Sequence, residues 1–168
     1  MSLRHEARRW ALQFLFQSEF NQADSLKEGL RLFWKQQDED SANEPTSSAS
    51  ANLEPPTPQR ARARQFAEEL IRGVIEHHRE IDHLIVQHAE NWALERMGTV
   101  DRNAMRIAVY EMLHREDIPP VVSINEAVEL AKAFSSTESG AFVNGILDRI
   151  RQGLDRTAHG TKEAPAKD

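Results

Sequence analysis

A chain of 168 residues with 39% hydrophobic content has the size of one compact domain with a real core, and little room for a second. The absence of cysteine excludes disulfides, thiolate metal sites and a cysteine nucleophile. A net charge of −6 argues against a protein that coats nucleic acid through bulk electrostatics, but leaves room for a local basic site.

The opening MSLRHEARRW places charges where a signal peptide needs an apolar run, and no apolar stretch reaches bilayer-spanning length. A cytoplasmic protein with no membrane contact is the expectation. The first predicted helix carries Leu3, Ala7, Trp10, Ala11, Phe14 and Leu15 on one stripe. Ser25 and Glu28 form a capping box ahead of Leu26, Leu30, Phe33 and Trp34.

Residues 36–58 are rich in Ser, Pro, Ala and acid, with no Lys or Arg between Lys35 and Arg60. Having no periodic apolar face, this segment is expected to be a mobile acidic loop that separates helices without separating domains. Thr57-Pro58 supplies a plausible cap and first turn for the next helix, whose buried side is Phe66, Leu70, Ile71, Val74 and Ile75. Ile81, Leu84, Ile85 and His88 mark another.

The run VDRNAMRIAVYEML (100–113) is apolar over most of its circumference, as a central buried helix would be. Asp117-Ile118-Pro119-Pro120 closes it, because a residue before proline is pushed out of helical geometry. Ser123 and Glu126 read as a second capping box, introducing Ile124, Ala127, Val128, Ala131 and Phe134. Phe142, Val143, Ile146, Leu147 and Ile150 share the stripe of the last helix, where Gly145 reads as a site of close helix packing. Alternation of the strand kind is absent, so the fold class is all-α with roughly seven helices. One domain is expected over residues 1–154, with a flexible polar tail over 155–168.

Chemistry is sparse. His78 and Asp82 stand four apart in EHHREIDH, but a zinc site needs a third ligand and HExxH is absent, so no metal is expected. Carboxylate pairs sit in exposed contexts, and there is no Gly-rich phosphate loop, Ser elbow or Rossmann fingerprint. Nothing marks an enzyme or a cofactor. A basic arc does stand out: on a helix Arg4 and Arg8, and likewise His5 and Arg9, lie within about 40° of each other. Such an arc suits phosphate contacts, although a solvated helix face diluted by Glu6 is the commoner meaning of such charge.

Taken in order, RRWALQFLFQSEF (8–20), LIRGVIEHHREID (70–82), VDRNAMRIAVYEML (100–113) and IPPVVSINEAVELAKAFSSTESGAFVNGILDRI (118–150) resemble the NusB family. The combination of INEAVELAK with FSSTESGAFVNGILD is the most specific part. The resemblance implies two stacked helical subdomains and a non-catalytic antitermination factor without cofactor. It implies binding to boxA RNA of ribosomal RNA transcripts, as a heterodimer with the small-subunit ribosomal protein also called NusE, acting indirectly on the RNA polymerase elongation complex. A homodimer of the free protein is compatible with the family.

Carried over by motif, the RNA-binding candidates are Arg4, His5, Arg8 and Arg9, with Glu138, Ser139 and Phe142. Phe142 offers a ring for base stacking, and core packing is its equal alternative. The candidates for the ribosomal-protein surface are Phe16, Glu95, Asp101 and Arg106, the two acids being suited to a basic partner. The arginine segment is thinned by His5 and Glu6, and the acidic segment is long for the family. Two other readings stand beside this one. The first is the RNA-binding module of an rRNA methyltransferase, which would require a fragment; the second is a helical protein-interaction or self-associating scaffold without RNA selectivity.

Overall fold

The computed structural model describes residues 2–42, 57–90 and 92–163, with side chains described as far as Arg156. Among them are seven α-helices, one short 3-10 turn and no strand, as the periodicity predicted. The helices are α1 (Leu3–Phe20), α2 (Leu26–Ala42), α3 (Pro58–Glu76), α4 (His78–His88), α5 (Thr99–His114), α6 (Pro120–Phe134) and α7 (Thr137–Glu163). None is long and apolar enough to cross a membrane.

The chain divides into two compact units, Met1–Glu69 and Leu70–Asp168. The divide falls inside α3 and not at the acidic segment, because the first half of α3 is bound to α2. The Trp34 indole donates to Glu68 at 2.8 Å, and the guanidinium groups of Arg60 and Arg64 both reach Asp38.

The first unit is built on rings. Trp10 meets Trp34 edge to face at 5.3 Å and 87°, and Phe14 meets Phe33 at 5.6 Å and 90°. Ser2 caps α1 by accepting from the His5 amide, and Ser25 accepts from the Glu28 amide as its capping box predicts. Thr57 likewise accepts from the Arg60 amide at the start of α3. The acidic segment departs from expectation in part: residues 36–42 are the last turns of α2. Helix-compatible Gln, Asp and Glu extend it, with Asp38 held by the α3 arginines. The rest of that segment, 43–56, lies outside the described residues.

The second unit is aliphatic. Helix α5 is its centre, packed by α4, α6 and α7. Ile81, Ile85, Met105, Val109, Val143, Ile146, Leu147 and Ile150 are fully buried. Gly73 lets the Tyr110 ring lie against α3: a Cβ there would stand 2.2 Å from that ring. Gly145 has no such reason, since a Cβ would meet open space. The expected second capping box is corrected. Pro119-Pro120 starts α6 earlier, which puts Ser123 inside the helix, where its buried hydroxyl donates to the buried Glu111 carboxylate at 2.7 Å. The tail is corrected as well, for α7 continues through Glu163 before the described residues end.

Candidate functional site

In the first unit the basic arc of α1 is split by depth. Arg4 and Arg9 are exposed, His5 is half-buried and Arg8 is buried to 3%. The guanidinium carbons of Arg4 and Arg8 lie 5.1 and 5.6 Å from the centroid of the Phe66 ring. Arg60 stands over Trp10 at 5.8 Å and Arg64 over Trp34 at 4.9 Å. Each cation thus rests on the negative face of a core ring. Arg8 is a structural cation, whereas Arg4 and Arg9 keep outward reach; Glu6 stands 3.9 Å from Arg9. Phe16 is exposed near the end of α1, with the more exposed Phe20 ring 5.2 Å away.

In the second unit the 3-10 turn, the start of α5 and the start of α7 enclose a cleft of about 290 Å³, lined in part by Trp92, Asp101, Glu138, Ser139 and Phe142. That is at the lower limit for a pocket that encloses a small ligand, and better suited to an edge or a single inserted group. Local hydrogen bonds build it. Arg102 donates to the carbonyls of Leu94 and Met97 at 3.1 and 3.0 Å, which ties the 3-10 turn (Leu94–Arg96) to α5. Glu90, in the left-handed region at φ 41°, helps turn the chain out of α4 towards Trp92. Ser136 accepts from the Ser139 amide at 3.1 Å and caps α7. Glu138 lies in the first turn of α7, where the helix dipole favours a carboxylate.

Asp101 forms the floor of the cleft. It is buried, its Oδ2 accepts from the Ser139 hydroxyl at 3.0 Å, and its Oδ1 is buried with no partner in the structure. Burial raises its pKa from the ordinary aspartate value, and the Ser139 hydroxyl draws it partly back. Closed off from solvent, that oxygen is an acceptor the fold leaves unsatisfied beneath the cleft. Above it Trp92, 52% exposed, meets the half-buried Phe142 edge to face at 6.0 Å. Core packing is therefore not the place of Phe142: its ring lines the cleft one position ahead of the buried Val143.

The structure thus gathers Asp101, Glu138, Ser139 and Phe142, drawn from both the RNA and the partner candidates, into one cleft of the second unit. Glu95 is exposed on the adjoining 3-10 turn. Arg106 is placed differently, its fork bonded to both Asp82 oxygens at 2.8 and 3.0 Å and to the Asn103 oxygen at 3.0 Å. That pair also removes Asp82 from the considered His78–Asp82 arrangement, while Nδ1 of His78 meets the Ile75 carbonyl at 2.9 Å. Trp92, Arg96 and Met97 were missed by the sequence reading. A lone tryptophan in the stretch HAENWALE, whose i−4, i+3 and i+4 neighbours are His88, Glu95 and Arg96, is the signal that could have found it.

Comparison with known proteins places this architecture. The NusB family profile matches residues 5–152. The transcription antitermination protein NusB of Myxococcus xanthus is 42% identical over 156 residues, covering 93% of this chain and 99% of that one. Among solved structures, T. maritima NusB is 36% identical with a TM-score of 0.67, covering 89% of this chain and 90% of its own. NusB in a complex of the antitermination factors NusB and NusE with dsRNA is 25% identical with a TM-score of 0.68, covering 90% and 97%. On the strength of a profile that runs from residue 5 to 152, and of a relative aligned almost end to end, the chain belongs to the NusB family.

Proposed function

We propose that the protein is a non-catalytic transcription antitermination factor that binds boxA RNA of ribosomal RNA transcripts together with a NusE-type ribosomal protein, and through that complex acts on the RNA polymerase elongation complex. The observation that carries this reading is the cleft of the second unit. Single-stranded RNA is recognised by stacking splayed bases on aromatic rings and by hydrogen bonds to base edges. Trp92 and Phe142 supply the rings, and the exposed Glu138 carboxylate at the cleft accepts from an exocyclic amine or ring N–H. Arg4 and Arg9 supply phosphate contacts from the first unit. The similar NusB chain found with NusE and dsRNA supports both partners.

A protein partner is favoured by a second observation, the exposed Phe16 and Phe20 pair on α1. An apolar pair of this kind suits an interface core better than an RNA backbone. If it serves a second copy of the chain instead, the protein is the self-associating scaffold.

The test is fluorescence anisotropy of labelled boxA RNA and a scrambled control, titrated with the protein alone and then with its own organism's NusE-type protein. Tighter, sequence-selective binding in the mixture is expected. Equal binding of the two RNAs in both conditions overturns the reading in favour of the scaffold. Arg8 is unsuitable for charge reversal because it is buried, so the variant is Arg4→Glu with Arg9→Glu. Its salt dependence should flatten by about 1.4 in log–log slope, at about 0.7 for each single-strand phosphate no longer neutralised. An unchanged slope removes these two arginines from the interface.

A further inference from the structure

A cluster of metal-ligating side chains lies in the second unit, shares no residue with the cleft, and is left unused by the RNA reading. His77 stands at the break between α3 and α4, with φ −108° and ψ 18°. Glu80 follows one turn later, and His114 ends α5. Glu80 Oε2 lies 3.9 Å from His77 Nδ1 and 3.7 Å from His114 Nε2. One ligand atom from each of the three residues falls within 4.8 Å of the others. We propose that His77, Glu80 and His114 form a site for a late first-row divalent cation such as zinc, which clasps the α3–α4 break to the end of α5.

The donor set selects the ion class. Two imidazoles with one carboxylate suit zinc, nickel or copper, whereas magnesium and calcium call for oxygen alone. Three protein ligands leave a further position to water, as in an open zinc site. Arms of 2.0–2.1 Å set tetrahedral ligand atoms about 3.3 Å apart, so the two separations to Glu80 close by about 0.6 and 0.4 Å, and the two imidazole nitrogens, within 4.8 Å, by up to about 1.5 Å.

The rings are already gathered. The imidazoles of His77 and His114 stack at 4.0 Å and 27°, and the Tyr110 ring lies 6.2 Å from one and 5.4 Å from the other. Near-parallel rings carry their nitrogens side by side rather than aimed at one point. Turning the two rings apart supplies the aim, and the exposure of these side chains (37% for His77, 31% for His114) leaves space for it. Gly73 contributes indirectly, because it alone admits Tyr110 against α3 one turn before His77. Sequence spacing could not find this set, since the third ligand comes from a helix far along the chain.

The experiment uses the untagged, metal-free full chain. Zinc is titrated in competition with a chromophoric chelator, and cobalt(II) is followed by its visible absorption. One equivalent is expected to bind saturably and raise the melting temperature. His77→Ala and His114→Ala should each weaken binding about tenfold or more. His83→Ala, an exposed histidine outside the cluster, should leave it unchanged. Glu80→Gln serves as the conservative variant, because an exposed glutamine there keeps the fold and should still lower affinity and change the cobalt spectrum. No saturable step, or a step that survives His77→Ala with His114→Ala, overturns the site. These readouts use no RNA, so failure of the site and failure of the RNA reading are separately visible.

Discussion

The two units reach a core by different means. The first has few helices to draw on and fills its interior with Trp10, Phe14, Phe33, Trp34 and Phe66, each large and each turned edge-on or capped by an arginine. The second has more helices around α5 and fills its interior with many branched aliphatic chains. Rings concentrate burial in few residues and tolerate cations on their faces, at about 0.5–1 kcal/mol for an exposed pair. Aliphatic packing spreads burial, at about 1.5–3 kcal/mol per side chain, and admits a carboxylate such as Glu111 only with a buried hydroxyl to donate to it. Rings suit a small unit whose arginines pack on its core, and close aliphatic packing suits a unit that carries a polar cleft.

The difference is broken most severely at a ring. Trp10→Ala should cost about 3–5 kcal/mol and remove much of the near-ultraviolet circular dichroism of the first unit, checked by urea unfolding followed at both wavelengths. A loss below about 1 kcal/mol would show that the ring cluster is loosely packed. In the second unit the sharper probe adds an atom. Gly73→Ala should destabilise by about 1–3 kcal/mol, because a methyl group cannot coexist with the Tyr110 ring where it stands. Thermal melts of Gly73→Ala, alone and with Tyr110→Ala, test this, and a smaller penalty in the Tyr110→Ala background is the expected coupling.

The smallest effect concerns the cleft floor. Burial holds the Asp101 pKa above its unfolded value, so between the two the folded chain keeps a proton that the unfolded chain has released. This residue therefore makes stability fall as pH rises from about 3.9 through the raised pKa, with no further change above it. Asp101→Asn should abolish that segment of the profile in denaturation series across the acid range. A profile identical to that of the parent would show that the carboxyl is not held in a buried state.

Much of the fold was legible because it follows from local rules. The stripe of α1, the Ser25 and Thr57 caps and the buried character of α5 need only helical spacing and a few polar side chains. The misreadings have a common cause: local signals that tertiary partners overrode. Ser123 has the spacing of a cap, yet Glu111 gives its hydroxyl a buried partner and Pro120 gives the helix an earlier start. Residues 36–42 look like loop, yet the arginines of α3 keep Asp38 in a helix.

The candidate site divides in the same way. Glu138, Ser139 and Phe142, singled out by the motif, lie together on α7, but nothing local told that Asp101 meets Ser139 or that Trp92 faces Phe142. Arg8 and Arg9 are neighbours in sequence with opposite fates, and only the position of Phe66 explains why.

The three tryptophans of the chain are Trp10, Trp34 and Trp92. Two of them are buried in the first unit, and the third is exposed at the mouth of the cleft. Their emission therefore separates by colour and by access to an aqueous quencher. A Trp92→Phe variant would leave a purely interior signal, so its difference from the parent isolates a single indole. The protein thus carries a native optical label at the place where a ligand is expected to arrive, and occupancy can be followed without attaching a dye to either partner.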